Sequence, residues 1–234
     1  MISVAIVGKG NVGVHLYQQL VKKDQLNVIQ FDSRQPHELN TFNVAILAVS
    51  DHAIPKVSKN IKCPLVVHTS GTTSIQELKN PYRKGVFYPL QSFSKEKPVD
   101  FPKVPICIEV EEHQDEKLLR FLSECLGSTA YPISSLQRNH LHVAAVFANN
   151  FTNHMYEIAK QICDRYNIPF QMLLPLIQET AQKVQYLSPS DAQTGPAKRN
   201  DLPTIENHVH LLEESYKEIY HLLTTSIQNH GKKL

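Results

Sequence analysis

The chain has 234 residues, of which 41% are hydrophobic and 20% charged, with a formal net charge of +2. That length suggests one large domain or two ordinary ones, with enough apolar side chains for real cores. The near-neutral balance supplies no strong field for nucleic acid or a membrane surface, and no run approaches the roughly 18 apolar residues of a membrane span. The opening MISVAIVG leads directly into a strand pattern instead of a secretory leader. Cys63, Cys107, Cys125 and Cys163 stand far apart without C-x-x-C spacing. They read as reduced structural thiols of a cytoplasmic protein, not as disulfides or a zinc site.

The first half alternates short apolar runs with helical or loop segments. ISVAIV (2–7), NVIQF (27–31), VAILAV (44–49) and PLVVHT (64–69) are dense in Val, Ile and Leu without a polar face, as parallel strands covered on both sides are. VFYP (86–89), VPICIEV (104–110) and TAYPI (129–133) are further strand candidates. Val12, Leu16 and Leu20 fall at helical spacing between the first two strands, so that unit reads strand–helix–strand. Repeated, it gives an α/β fold: a doubly wound, mostly parallel Rossmann-type sheet domain over 1–133. An all-α domain follows over 134–234, where character changes to long stretches without Gly or strand patterning. Helices are expected from Ser134 or Ser135 up to the NIP stop at 167–169, then near 170–187 and 203–229, with Pro175 a start or kink.

The first strand runs into Gly8-x-Gly10-x-x-Gly13. A G-x-G-x-x-G match alone is weak, but a preceding apolar strand and a following amphipathic helix are its confirming context. Gly8 permits the tight turn, Gly10 lets a pyrophosphate approach the backbone, and Gly13 lets the helix pack closely on the strand. The amides around Asn11 and Val12, at the positive end of the helix, would face the anion. The competing reading is a glycine turn that only joins strand to helix.

The second strand ends QFDSR. An acid at this strand tip, here Asp32, accepts from the ribose hydroxyls of NAD, whereas a Ser33–Arg34 pair suits the 2′-phosphate of NADP. A charge-assisted hydrogen bond from Arg34 contributes about 1.5–3 kcal/mol, part of which Asp32 would offset. The balance favours NADP(H) over NAD(H), against the alternative that Arg34 is an exposed surface charge. Two later strand ends, AVSDH (48–52) and HTSGT (68–72), complete the groove, because ligands sit beyond the carboxyl ends of such strands. Val49, Ser50 and Ser70 are the candidate cofactor contacts there. Ser50 could equally cap the helix starting near Ile54, and His68 could be a satisfied interior histidine.

On the long helix after Ser135, Val143, Ala144, Phe147, Phe151, Met155, Ile158 and Ile162 form one apolar stripe. Opposite them stand Arg138, His142, Asn149 and Asn153, with Asn150 off to one side. That polar stripe is either a solvated face or, given its neutral hydrogen-bonding groups among alanines, a cleft wall. His142 is the best general acid–base candidate, a hydrogen-bonded structural histidine being its alternative. His140-x-His142 and His208-x-His210 point apart on a helix, so no metal site is expected. The loop SDAQTGPAKRND (190–201) carries Thr194 as a donor, Gly195–Pro196 as a bend, Arg199 for a substrate carboxylate or phosphate, and Asp201 as a cap or a partner for Arg199. It also reads as a plain connection closed by Arg199 and Asp201.

The series GKGNVG, SR, AVSD, HTSGT, FYPLQSFS, VPICIE, RNHLHVAAVFANNF, PLIQET and AQTGPAKRND spans nearly the whole chain. It resembles a bacterial family of Rossmann-like NADP oxidoreductase-like proteins with a helical C-terminal domain of undefined function. In architecture that family is similar to pyrroline-5-carboxylate reductase, deazaflavin-dependent NADP reductase and the β-hydroxyacid dehydrogenases. The resemblance implies cofactor contacts at Gly8, Gly10, Gly13, Ser33 and Arg34, and family motif positions at His142, Asn150, Thr194, Gly195, Pro196, Arg199 and Asp201. With these go Tyr88 and Gln91 as substrate-side candidates. Tyr88 stands where His is usual before PLQ, and Asn200 where Gly is common, although Asn tolerates left-handed angles. The Lys and Asn of the β-hydroxyacid dehydrogenases have no counterpart, since Lys160 lies late in the helix and Asp164 follows it.

The leading expectation is therefore an NADPH-dependent reductase of a small polar carbonyl or imine, dimeric through its helical half, with His142 moving a proton. Its rival is a non-catalytic NADP-binding sensor or regulatory protein. A flavin- or deazaflavin-linked reductase would need a second cofactor site that the sequence does not show.

Overall fold

The computed structural model describes residues 1–34 and 38–230. Along the first part run β1 (Ile2–Val7), α1 (Asn11–Leu20), β2 (Leu26–Phe31), β3 (Val44–Leu47), α2 (Ile54–Ser58), β4 (Leu65–His68), β5 (Arg83–Pro89), β6 (Ile106–Val110), α3 (Glu116–Leu126), β7 (Ala130–Pro132) and α4 (Ser135–Ala145). The strands form one seven-stranded sheet in the order β2-β1-β3-β4-β5-β6-β7. Every pairing is parallel except β5 with β6. The sheet is thus doubly wound and mostly parallel, as its unbroken apolar strands require.

Side-chain alternation along the strands feeds two cores. From β1, Val4 and Ile6 join Leu16 and Leu20 of α1 and Leu119 and Leu122 of α3 on one face. Ala5 and Val7 point the other way and meet Ile54 of α2 with Leu39 and Leu78. Each fully buried Val, Ile or Leu contributes about 1.5–3 kcal/mol, so neither face tolerates a polar residue. The change to antiparallel pairing falls beside Gly85, where a Cβ would lie 2.9 Å from the Glu109 carbonyl oxygen and 3.0 Å from Val67 Cγ1. Cys63, Cys107, Cys125 and Cys163 are all free and buried.

Helix α4 starts at a capping box: the Ser134 hydroxyl accepts from the Gln137 amide, and the Gln137 side chain accepts from the Ser134 amide. One turn on, Arg138 has its side chain only 1% exposed and donates from Nη1 to Glu109 of β6 at 2.5 Å. Its Nη2 donates to the Thr73 carbonyl at 2.5 Å and to Ser135 Oγ at 3.1 Å. Ser135 in turn donates from its amide and hydroxyl to Glu109 at 2.9 and 2.7 Å. These contacts fasten α4 to the sheet. The compact units are Met1–Ala148 and Asn149–Leu234, so α4 groups with the sheet although the helical composition begins at 133/134.

The polar stripe expected along the helix separates in the same way. Arg138 is buried and His142 half-buried, whereas Asn149 and Asn153 are exposed. The turn between the two helical stretches, Val146–Phe151, is π-helical. It shifts later residues around the axis, which is why one 3.6-residue period does not carry the stripe through.

The second unit is helical throughout: α5 (Thr152–Arg165), α6 (Leu174–Lys183), α7 (Pro189–Ala192), α8 (Pro196–Arg199), α9 (Leu202–Leu211) and α10 (Glu214–His230). Pro175 sits in the first turn of α6, where its missing N–H costs nothing. The helix expected over 203–229 is instead broken at Leu212, whose backbone is extended at ψ 147°. No Gly or Pro stands there; Glu213 pairs with Arg165 of α5, a tertiary contact that local sequence cannot show. His208 Nδ1 lies 2.9 Å from the Tyr220 hydroxyl and ties α9 to α10. Among the described residues no helix is long and apolar enough to cross a membrane.

Candidate nucleotide-binding and proton-transfer site

A cleft of about 590 Å³ opens beyond the carboxyl ends of β1, β3 and β4. β1 is flanked by β2 and β3, so the chain reverses winding direction here, the place where open α/β sheets hold ligands. Gly8 has φ +125°, and a Cβ on it would lie 2.1 Å from the Ala48 carbonyl oxygen. A Cβ on Gly13 would lie 2.4 Å from the Gly8 carbonyl oxygen. These two glycines therefore serve close backbone packing. A Cβ on Gly10 would meet nothing within 4 Å, which leaves open space beside the start of α1. Gly10 is the N-cap, no side chain caps the helix, and its first turn holds no acid. The positive end of α1 thus faces a space that fits a diphosphate.

Gly8, Gly10, Asn11, Val12, Ser33, Val49, Ser50 and Ser70 all line this cleft, as do Gln91 and His142. Asn11 also donates from Nδ2 to the Phe93 carbonyl at 2.9 Å, and His15 Nε2 lies 2.8 Å from that of Ser94. These bonds hold the 91–94 segment against α1. Ser50 does not cap the turn that follows it; its hydroxyl lies 3.3 Å from His52 Nε2. The Ser70 hydroxyl shapes its own loop, accepting from the Thr72 and Thr73 amides at 3.1 and 2.9 Å. Lys9, Asp51, Thr69, Gly71 and Phe93 also line the cleft. Sequence reasoning did not single these out, although all five lie inside the quoted motifs.

At the tip of β2, Asp32 and Arg34 form a forked ion pair, Nη2 to Oδ2 at 2.8 Å and Nε to Oδ1 at 3.0 Å. The Arg34 amide adds a third bond to Oδ1 at 3.0 Å. The guanidinium holds the Asp32 carboxyl far below the usual carboxylate range. Arg34 itself is 87% exposed and lies outside the cleft lining, while Ser33 lies within it.

Tyr88 is not among the residues lining the cleft, but its hydroxyl lies 3.2 Å from Nδ1 of His142, which is. Gly71 makes room for the pair: a Cβ there would stand 2.5 Å from Nδ1 and 2.9 Å from Tyr88 Cζ. Burial pushes the Tyr88 phenol up to about 12, so it stays neutral at any ordinary pH. A cleft of similar volume, about 580 Å³, opens among Lys62, Arg83, Glu111 and Glu112 near the amino ends of β4 and β5. That is the wrong end of a parallel sheet for its ligands.

The remaining predicted residues lie in the second unit. Asn150 is exposed within the π-helical turn. Thr194 precedes Gly195, whose φ of +102° sets the bend before Pro196. Asn200 takes the left-handed φ of +54° that Gly would otherwise supply. Asp201 caps α9, accepting from the Thr204 amide at 3.3 Å, and lies 3.9 Å from the Arg199 guanidinium, so both suggested roles for it are realised.

A family model described as "Domain of unknown function (DUF2520)" matches residues 104–227. The chain belongs to this family. The match takes in His142, Asn150, Thr194 and Arg199 and leaves the glycine turn and Tyr88 outside. Among solved structures the DUF2520 chain is similar to BF3122 from Bacteroides fragilis, provisionally named an NADP oxidoreductase, at 33% identity and a TM-score of 0.84. That alignment covers 97% of this chain and 98% of the other. TM1727 from Thermotoga maritima follows at 18% identity and 0.74, covering 97% of each chain. The 1-pyrroline-5-carboxylate reductase of Streptococcus pyogenes is 12% identical at 0.66, covering 97% of this chain and 98% of the other. The last two likenesses concern the fold. No curated protein gives a significant match.

His68 closes β4 beneath the site, fully buried, and its Nδ1 accepts from the Ser70 amide at 3.1 Å. Burial, reinforced by the nearby Arg138 charge, lowers it to about 4. The unfolded chain takes up that proton from its ordinary value near 6.5 downward, while the folded chain resists until about 4. The contribution is therefore complete above pH 6.5 and is lost as pH falls. Urea unfolding should show a loss of about 2 kcal/mol between pH 7 and 5 that a His68→Leu variant lacks. An equal loss in the variant would assign the slope to other groups.

Proposed function

We propose that this DUF2520 protein is an NADP(H)-dependent oxidoreductase that reduces a small polar carbonyl or imine. What carries the reading is the uncapped start of α1 behind Gly10, in the same cleft that His142 lines. The likeness to the Bacteroides fragilis protein supports the cofactor class. The nicotinamide cofactor supplies the hydride; the chain supplies position, charge complementarity and a proton-holding group. Gly8, Gly10, Asn11 and Val12 would hold the diphosphate by backbone N–H groups, with Val49, Ser50 and Ser70 along the groove. His142 would face the substrate's acceptor atom as the general acid–base group, with Gln91 beside it. Asn150, Thr194 and Arg199 are proposed as the helical half's substrate contacts, Arg199 for an anionic group.

The proposed preference for the phosphorylated cofactor rests on the pair at the end of β2. Arg34 neutralises Asp32, which would otherwise repel a 2′-phosphate, and its Nη1 makes no hydrogen bond to the described residues. Arg34→Ala removes the guanidinium donor and its neutralising charge together. By calorimetry it should weaken NADPH binding about 10- to 100-fold and leave NADH within a few-fold. Equal losses would defeat the assignment. Stopped-flow oxidation of bound NADPH across keto acids and cyclic imines tests the reaction itself. Tight NADPH binding with no turnover of any compound would point to a sensor instead.

Dimerisation through the helical half is part of the same proposal. Leu176 is 63% exposed, Leu202 58%, Leu211 63% and Leu222 65%. Such large apolar side chains on one helical unit suit a second copy of the chain. Light scattering should give twice the 26.6 kDa chain mass, and a value near 26.6 kDa would count against it.

A further inference from the structure

We infer that Tyr88 is a positioning residue that holds neutral His142 in the tautomer with its proton on Nε2, so that the cleft is offered a hydrogen-bond donor. The inference rests on the site reading above and adds the polarity of the substrate atom that His142 meets.

A half-buried tyrosine hydroxyl needs an acceptor for its proton. Among the described residues the only acceptor within reach of Tyr88 is His142 Nδ1, at 3.2 Å. A nitrogen that accepts carries no hydrogen, so in neutral imidazole the proton resides on Nε2. Gly71 presses on the same corner of the ring, since anything larger would strike both partners. The ring lines the cleft while its Nδ1 is engaged by Tyr88, which leaves Nε2 for a ligand. Because the phenol does not titrate in the working range, it cannot draw a positive charge onto the imidazole as a carboxylate partner would.

The helix backs this up. Arg138 lies one turn before His142 on the same face, and its bonds to Glu109 and Thr73 fix that face against β6 and the loop after β4. The partner atom such a site recognises is a lone-pair acceptor, a carbonyl oxygen or an imine nitrogen. A hydroxyl proton or an ammonium group would meet the wrong sign of dipole.

Nitrogen NMR of the full chain labelled with 15N-histidine, in mildly alkaline buffer, reads the tautomer directly and needs no substrate. Comparison with His142→Gln identifies the His142 signals among those of the 12 histidines. The wild type should show a pyridine-like Nδ1 and a pyrrole-like Nε2. In Tyr88→Phe the ratio of tautomers should fall by roughly three- to tenfold, the size of an ordinary hydrogen bond. Gly71→Ala, which forces the two rings apart, should have the same effect and guards against a fault peculiar to the Phe variant. A pyrrole-like Nδ1 in the wild type, or shifts unchanged in both variants, overturns the inference. The expected tautomer in a protein that turns over no substrate would uphold it while the reductase reading falls.

Discussion

The geometry of the candidate site depends on one buried cation. The Arg138 side chain is only 1% exposed, and removing a charge from water costs several kcal/mol unless partners replace the hydration shell. Glu109, Ser135 and the Thr73 carbonyl are those partners, and they belong to β6, to the first turn of α4 and to the loop after β4. The bonds from Nη1 and Nη2 therefore fix three segments relative to one another, while Nε has no partner among the described residues. His142, a turn further along the same helix, inherits its place from that arrangement. The Tyr88 contact is a consequence of electrostatic necessity one turn earlier.

The nucleotide side is governed by backbone proximity instead. Gly8 and Gly13 are required because the chain passes so close to Ala48 and to itself. Gly10 is the one whose missing side chain leaves usable room. The three glycines of the motif thus divide into two that let the fold close and one that leaves it open. Such a turn leaves the start of α1 open to an anion, because among the described residues no side chain caps it.

Much of this was legible in the sequence, for identifiable reasons. Strands covered on both faces advertise themselves by unbroken Val, Ile and Leu, so β1, β3 and β4 could be placed closely from local pattern. The glycine turn was legible because spacing and context agree. The anchoring of α4 was not: Arg138 pairs with Glu109, residues 29 apart in sequence, whereas a lone Arg on a helix normally implies a solvated face. The Asp32–Arg34 fork was half legible, since spacing put both on one side of a strand end but could not say that they bind each other. Tyr88 looked like a departure that weakened its position. The structure instead shows it bonded to the very histidine that the helix pattern had nominated, with Gly71 as a third member visible only once β4 and α4 are set side by side. The break at Leu212 has no local signal at all.

The far edge of the sheet carries one more consequence. β7 is only three residues long and contains Pro132, which has no amide hydrogen to offer a neighbouring strand. A row of unpaired amides and carbonyls at an open margin is a template for fibril-like growth, and a short, proline-bearing border denies it one. On that side the sheet is terminated chemically, so any self-association of the molecule has to be built from side chains and not by adding strands there.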